Sequence, residues 1–404
     1  DSGLDSGRDT SADSGGDSGA DADFDAGPIG EAGWVPLPGL PDGCVIERAE
    51  HPEVLFAPEW LSCGDGCQYL APEPRFQRAY DREGWHDGSR WWFAVVQSSD
   101  AEHREVVLAS SDGAAVAAWR SPDGWEDGLC IVGPSAIADG AAAVGVKIWL
   151  EDVQQFRLYH APLDVIGSVT EPTAVRDPSM GVGSTGVQNL SVSRTTVAAE
   201  VQPAGVVIVF EAGRSRVLGG VASPTPATPQ RVRVVGRDVW WEDWGHPTSL
   251  VVGSIDREGR YLRRNVPDDA FVLGIDDGQM AWLQGYGWGG AGVQYERLEL
   301  WMASYTDEPT ELRPQRIREV ETWGAALLGE GVYGFTTADF DGANHRTELY
   351  DIVDGRRRTY RAPSGVAVPG SPLGISAAEM LFLGRYERNP TLFRIDITRL
   401  PYEE

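Results

Sequence analysis

The side chains best suited to chemistry are aromatic and acidic, and they cluster in short loop-like stretches. These are Glu151-Asp152, Asp243-Trp244-Gly245-His246, Tyr286-Gly287-Trp288-Gly289-Gly290, Asp339-Phe340-Asp341-Gly342 and Tyr386-Glu387-Arg388. Rings beside carboxylates suit stacking on sugars or holding a basic peptide, because a π face also attracts cations. Trp244, His246, Tyr286 and Trp288 make the richest group. The alternative is that these Trp residues pack under their loops as small local cores. Asp339, Asp341 and Asn344 offer oxygens to calcium, but three ligands are too few, and Asp341-Gly342 is equally a plain turn.

Catalytic signatures are sparse. The six histidines (His51, His86, His103, His160, His246 and His345) form no metal-spaced pair, and no G-x-S-x-G elbow is present. Gly285-x-Gly287-x-x-Gly290 spells a dinucleotide fingerprint, but the strand-like YERLELWMAS follows it instead of a helix. Ser121-Pro-Asp123-Gly124-Trp125 is a compressed, unrepeated version of the Asp box of sialidases. No cofactor and no resident metal are expected. Paired carboxylates acting as general acid and base remain the only route to catalysis.

Four cysteines, Cys44, Cys63, Cys67 and Cys130, fall in the first third of the chain. An even number suggests disulfides, with three possible connectivities; free thiols and zinc are the alternatives. Cys63 and Cys67 are one residue further apart than the usual C-x-x-C zinc pair.

Acidic residues outnumber basic ones 61 to 34, for a net charge of −27. That balance excludes a nucleic-acid partner, which needs a basic footprint, and adhesion to an anionic membrane surface. No apolar run approaches the roughly 20 residues that cross a bilayer.

The elements that must position these residues follow from the rest of the chain. Residues 1–33 repeat Asp at every fourth position from Asp1 to Asp25, with Ser and Gly between. Such a stretch buries nothing and repels itself, which predicts a disordered, extended tether. Gly16-Asp17-Ser18-Gly19 and the Asp21, Asp23, Asp25 series imitate protease and EF-hand strings only because of this repeat.

From about Arg75 the chain reads as short strands broken by Asp-Gly and Glu-Gly turns, without a long amphipathic helix. Seven units follow one grammar of inner strand, turn, very apolar strand, variable loop, third strand, turn and polar outer strand. RWWFAVVQ, AAAVGVKIW, TVAAEVQ, DVWWEDW, QMAWLQG, VYGFTTA and MLFLGRY are the apolar second strands. The turns before them, near Gly88, Gly140, Arg194, Arg237, Gly278, Gly331 and Ala378, recur about every 48 residues, a spacing typical of propeller blades. Near-continuous apolar character fits strands covered on both faces. The expected fold is therefore all-β, a seven-bladed β-propeller of four-stranded antiparallel blades over residues 34–404. The seventh unit ends one strand short. The Cys-containing leader, 34–73, is expected to close it through Cys67–Leu70, with disulfides stapling leader to ring and Cys130 as a candidate partner.

The Asp-Gly turn before an apolar strand, as at Asp87-Gly88, Asp139-Gly140 and Asp277-Gly278, together with third strands such as LFRIDIT, resembles TolB-like and WD40-like propeller repeats. The Asp-Ser-Gly tether and Cys-rich leader resemble surface lipoproteins of myxobacteria. The resemblance implies the fold and an extracytoplasmic compartment much more than an activity; a monomer is expected, with a lipid anchor upstream of the tether as an open alternative. In a propeller the second-to-third-strand loops share one face around the channel mouth, where all five stretches named above would gather. The expected function is a non-catalytic module binding protein or glycan on that face; the alternative is a polysaccharide hydrolase or lyase with carboxylates at the channel mouth.

Overall fold

The computed structural model describes residues 35–36, 47–48, 56–71, 77–98, 104–113, 116–120, 130–150, 153–163, 173–175, 186–202, 206–212, 214–219, 229–243, 249–255, 261–265, 270–276, 279–288, 295–304, 314–321, 325–337, 346–361, 366–367, 372–386 and 389–403. These residues are almost wholly β, with one short 3-10 turn at Ile397–Arg399. No helix among them is long and apolar enough to cross a membrane.

The strands form antiparallel sheets, seven among the described residues. The first holds Gln77–His86, Trp91–Ser98, Arg104–Ser110 and Val116–Arg120. Cys130–Ala138, Ala141–Leu150, Val153–Pro162 and Thr173–Val175 make the second. The third comprises Gly186–Val192, Val197–Gln202, Val206–Glu211 and Arg214–Gly219. Pro229–Val235, Asp238–Asp243, Ser249–Ser254 and Tyr261–Asn265 form the fourth. The fifth contains Ala270–Asp276, Gln279–Trp288, Tyr295–Ser304 and Gln315–Val320. Ala325–Gly329, Val332–Thr337, Arg346–Asp351 and Arg357–Arg361 build the sixth. The seventh joins Pro372–Ile375, Glu379–Tyr386 and Asn389–Asp396.

Local chemistry explains the hairpins. Asp139-Gly140 and Glu330-Gly331 both take positive φ at each residue, the tight turn that matches strand twist. In six of the seven sheets the pairing of first and second strand carries a register shift, for example between Tyr80 and Gly84 and between Phe271 and Gly274. Such bulges sharpen the twist of the inner strand.

The second strands explain how the sheets stack. Trp91, Phe93 and Val95 pack toward the seventh sheet, while Trp92 and Ala94, pointing the other way, pack against the second. Similar apolar clusters fill the seams between sheets two and three, three and four, five and six, and six and seven. First strands touch at the same six junctions, including Pro372–Ile375 against Gln77–His86, which brings the last sheet to the first. Four-stranded sheets stacked in chain order through their first strands are a propeller-repeat arrangement.

The leader and the C-terminus cover outer edges. Val35–Pro36 pairs with the outer strand of the third sheet and Glu47–Arg48 with that of the first. Cys67–Leu70 pairs antiparallel with Asn389–Asp396, and Trp60–Gly64 lies beyond it. Tyr402–Glu403 pairs with Arg357–Arg361, where Arg356 and Arg358 lie 3.8 and 4.1 Å from the Tyr402 ring. Covered edges cannot template the pairing of another chain.

The disulfide differs from expectation. Cys63 and Cys67 bond to each other, with Cα atoms 5.2 Å apart. The bridge therefore ties the two strands of one leader hairpin and does not staple leader to ring. It also removes both sulfurs from any zinc site. The reason is local: a four-residue separation across a tight hairpin places the two Cβ atoms within bonding reach. Cys44 lies outside the described residues, as does the side chain of Cys130.

Candidate functional site

The five candidate stretches sit where second strands end and lead to third strands, in sheets two, four, five, six and seven, with Asp243, Tyr286–Trp288 and Tyr386 still inside the second strands. Glu151, Asp152, Trp244, His246, Asp339, Asp341 and Arg388 lie outside the described residues, as does the side chain of Trp288, which ends the second strand of sheet five. Tyr386 is half-buried and stacks on Tyr69 of the leader, with ring centroids 4.2 Å apart. That contact gives Tyr386 a packing role at the closing sheet.

Tyr286 is the best-defined candidate. It is half-buried near the end of the second strand of sheet five, opposite Arg297 in register. The Arg297 guanidinium sits 4.5 Å over its ring. Burial pushes the Tyr286 hydroxyl above its ordinary range, and the hydrogen bond it donates to Glu299 adds to the shift.

Glu299 is the hub of this group. Its side chain is buried, and it meets Arg316 at 2.7 Å, Arg297 at 3.4 Å and the Trp301 indole N–H at 3.2 Å. A buried carboxylate demands such partners. The next sheet repeats the device in its own third strand. Arg297-Leu298-Glu299-Leu300-Trp301 is matched by Arg346-Thr347-Glu348-Leu349-Tyr350. There Glu348 is fully buried, pairs with Arg346 at 2.8 Å and accepts from Tyr350.

Beneath Tyr286 the molecule changes character. Ala281, Leu283, Leu298 and Leu300 pack toward the sixth sheet. Strand alternation turns Met280, Trp282, Gln284, Glu299, Trp301 and Ala303 to the opposite face. In sheet four, Val239 and Trp241 pack toward the third sheet, which leaves buried Trp240 on the opposite face. None of the six apolar clusters occupies the seam that chain order puts between sheets four and five; on this face of sheet five the described residues include Trp282, Trp301, Gln284 and Glu299, with Met280 and Ala303 as buried apolar neighbours.

The opposite end of the sheets carries a different network. Asp139 accepts from the Arg194 backbone N–H at 3.4 Å, Asp276 from that of Glu330 at 2.7 Å, and Glu330 in turn from that of Ala377 at 2.8 Å. Turn carboxylates thus cap the neighbouring sheet's turn. Asp87 instead caps its own turn, accepting from Ser89 and Arg90 backbone N–H groups and from the Trp92 indole at 2.8 Å. Burial alone would raise its carboxyl, but these donors outweigh it and hold Asp87 far below the usual range. The arrangement is rigid and saturated, suited to holding structure.

A cavity of about 360 Å³ lies between the leader hairpin and the seventh sheet, lined by Asp65, Gln68, Glu379, Arg394, Asp396 and Arg399, among others. Its charges are mutually satisfied: Arg399 binds Asp65 at 2.9 Å and Asp396 at 3.0 Å, and Arg394 binds Gln68 at 2.5 Å. Among the described residues no group of three His, Cys, Asp or Glu side chains is placed to hold a metal.

Sequence reasoning missed Glu299, Arg316 and the seam residues Trp282 and Gln284. The repeated Arg-x-Glu-Leu-aromatic string was the available signal for the first two.

No family model and no curated protein matches this chain. Among solved structures it is similar to the β-propeller domain of the trilobed protease from Pyrococcus furiosus, at 8% identity and a TM-score of 0.48, covering 81% of this chain and 97% of that one. The WD40 domain of SCAP from fission yeast is similar at 9% identity and a TM-score of 0.43, covering 80% and 98%. TolB from Acinetobacter baumannii follows at 10% identity and a TM-score of 0.38, covering 73% and 65%.

Proposed function

We propose that the chain is a seven-bladed β-propeller spanning residues 34–404 behind an acidic tether, residues 1–33. In this reading it serves outside the cytoplasm as a non-catalytic module that binds a protein or glycan. The binding face is the rim where second strands pass to third strands, centred on sheets four and five with Trp244, His246, Tyr286 and Trp288. Glu151, Asp152, Asp339, Asp341, Tyr386 and Arg388 border the same rim.

The observation that carries this reading is the ordered aromatic and ionic group at the end of sheet five, Tyr286 with Arg297 and Glu299, above the polar seam. A ring held by a guanidinium and a saturated carboxylate is preorganised, so it presents a fixed surface at low entropic cost. Incubation of the full chain with extracellular polysaccharides and peptides tests the reading. Saturable retention without new reducing ends or cleaved peptide is expected, and product release would favour a hydrolase or lyase instead.

A further inference from the structure

Trp282 and Gln284 lie two residues apart on one face of the second strand of sheet five, 5% and 6% exposed. The Trp282 indole Nε1 and the Gln284 carboxamide Oε1 are both buried without a hydrogen-bond partner. One is a donor and the other an acceptor, and alternation places both on the same face of sheet five. Buried polar groups are normally satisfied, and each exception calls for an occupant or an explanation. Glu299, opposite Gln284 in register, already has Arg297 and Arg316 as counter-charges, so the seam asks for no further charge.

We propose that this face of sheet five is a binding site for a neutral, hydroxyl-bearing guest held between Trp282 and Gln284. One hydroxyl accepts from the Trp282 N–H through its oxygen and donates its proton to the Gln284 carbonyl, which meets both unmet needs at once. Trp282 and Trp301, paired in register, supply flat apolar walls beside it, with Met280 on the same face. The shared chemistry comes from two sources, an ordered water or a hydroxyl of a saccharide. This site uses no loop residue, so it stands or falls separately from the rim.

The test is a double-mutant cycle on the full chain, Trp282→Phe and Gln284→Met, read by urea unfolding midpoints with and without added monosaccharide. A shared guest predicts that each single substitution lowers the midpoint, while the double variant is no lower than the worse single, because the guest is lost once. A midpoint raised by a neutral hexose in the parent and not in the variants assigns the guest as a sugar; no sugar effect with the same coupling assigns it as water. A seam without a guest predicts the reverse: both singles raise the midpoint or leave it unchanged, since each removes an unmet polar group. That outcome, or two losses that simply add, overturns the proposal. Loss of rim binding in Trp244 or Trp288 variants leaves this cycle unaffected.

Discussion

Trp91 donates its indole N–H to Glu379 at 3.0 Å, joining residues 288 positions apart across the junction of the first and seventh sheets. The same indole belongs to the apolar cluster that fills this seam. Glu379→Met should therefore leave a buried N–H unmet and cost about 1–3 kcal/mol. Glu379→Gln, which keeps an acceptor oxygen, should recover most of that loss in urea unfolding. Equal losses from both substitutions would place the contribution in charge and not in the hydrogen bond.

Gly374 marks the same junction from the other side. A Cβ there would stand 2.2 Å from the Trp91 ring and 2.8 Å from the Gly84 carbonyl oxygen. Backbone and a buried indole cannot both retreat, so Gly374→Ala should destabilise by about 3 kcal/mol, at the upper end for overpacking. Gly236→Ala, where nothing lies within 4 Å but φ is +58°, is the control and should cost only the strain of a left-handed residue, about 1 kcal/mol. Thermal unfolding of the two variants checks the difference.

The strand grammar was legible because it rests on runs of several residues. Trp91–Ser98 and Glu379–Tyr386 are apolar on both faces since each face meets a neighbouring sheet, and the seven expected turns fall between first and second strands. Val35–Pro36, Glu47–Arg48 and Tyr402–Glu403 were not legible. A two-residue strand has no periodicity, and its pairing is set by where the chain passes. Turn acids such as Asp139 and Glu330 read as punctuation, but whether an acid reaches the next turn depends on the distance between sheets. The polar seam was hidden for a similar reason. QMAWLQG looks like any apolar second strand until alternation divides it between two neighbours.

His160 links the second and third sheets by donating from Nε2 to the Ser193 carbonyl at 3.0 Å. Burial lowers its pKa below the ordinary 6.5, more than the Ser193 bond raises it. The unfolded chain then takes up the proton before the folded one, so stability falls as pH drops below about 6.5 and is unaffected above it. Urea midpoints at pH 7.5 and 5.5 should diverge more for the parent than for His160→Gln. Identical pH dependence in the two proteins would contradict this account.

The Cys63–Cys67 bridge closes a short loop, so its removal should cost only about 2 kcal/mol. Cys63→Ser/Cys67→Ser should keep the fold yet loosen the leader strand on the seventh sheet. Faster hydrogen exchange at Cys67–Leu70 and Asn389–Asp396, with little change in the third sheet, is the expected pattern.

The most direct measurement is binding of the full chain to a combined glycan and peptide array, beside a folded Trp244→Ala/Trp288→Ala variant. Specific hits in the parent should weaken at least tenfold in the variant, or about 1.4 kcal/mol. Hits that ignore both substitutions would contradict a binding face on the rim of sheets four and five.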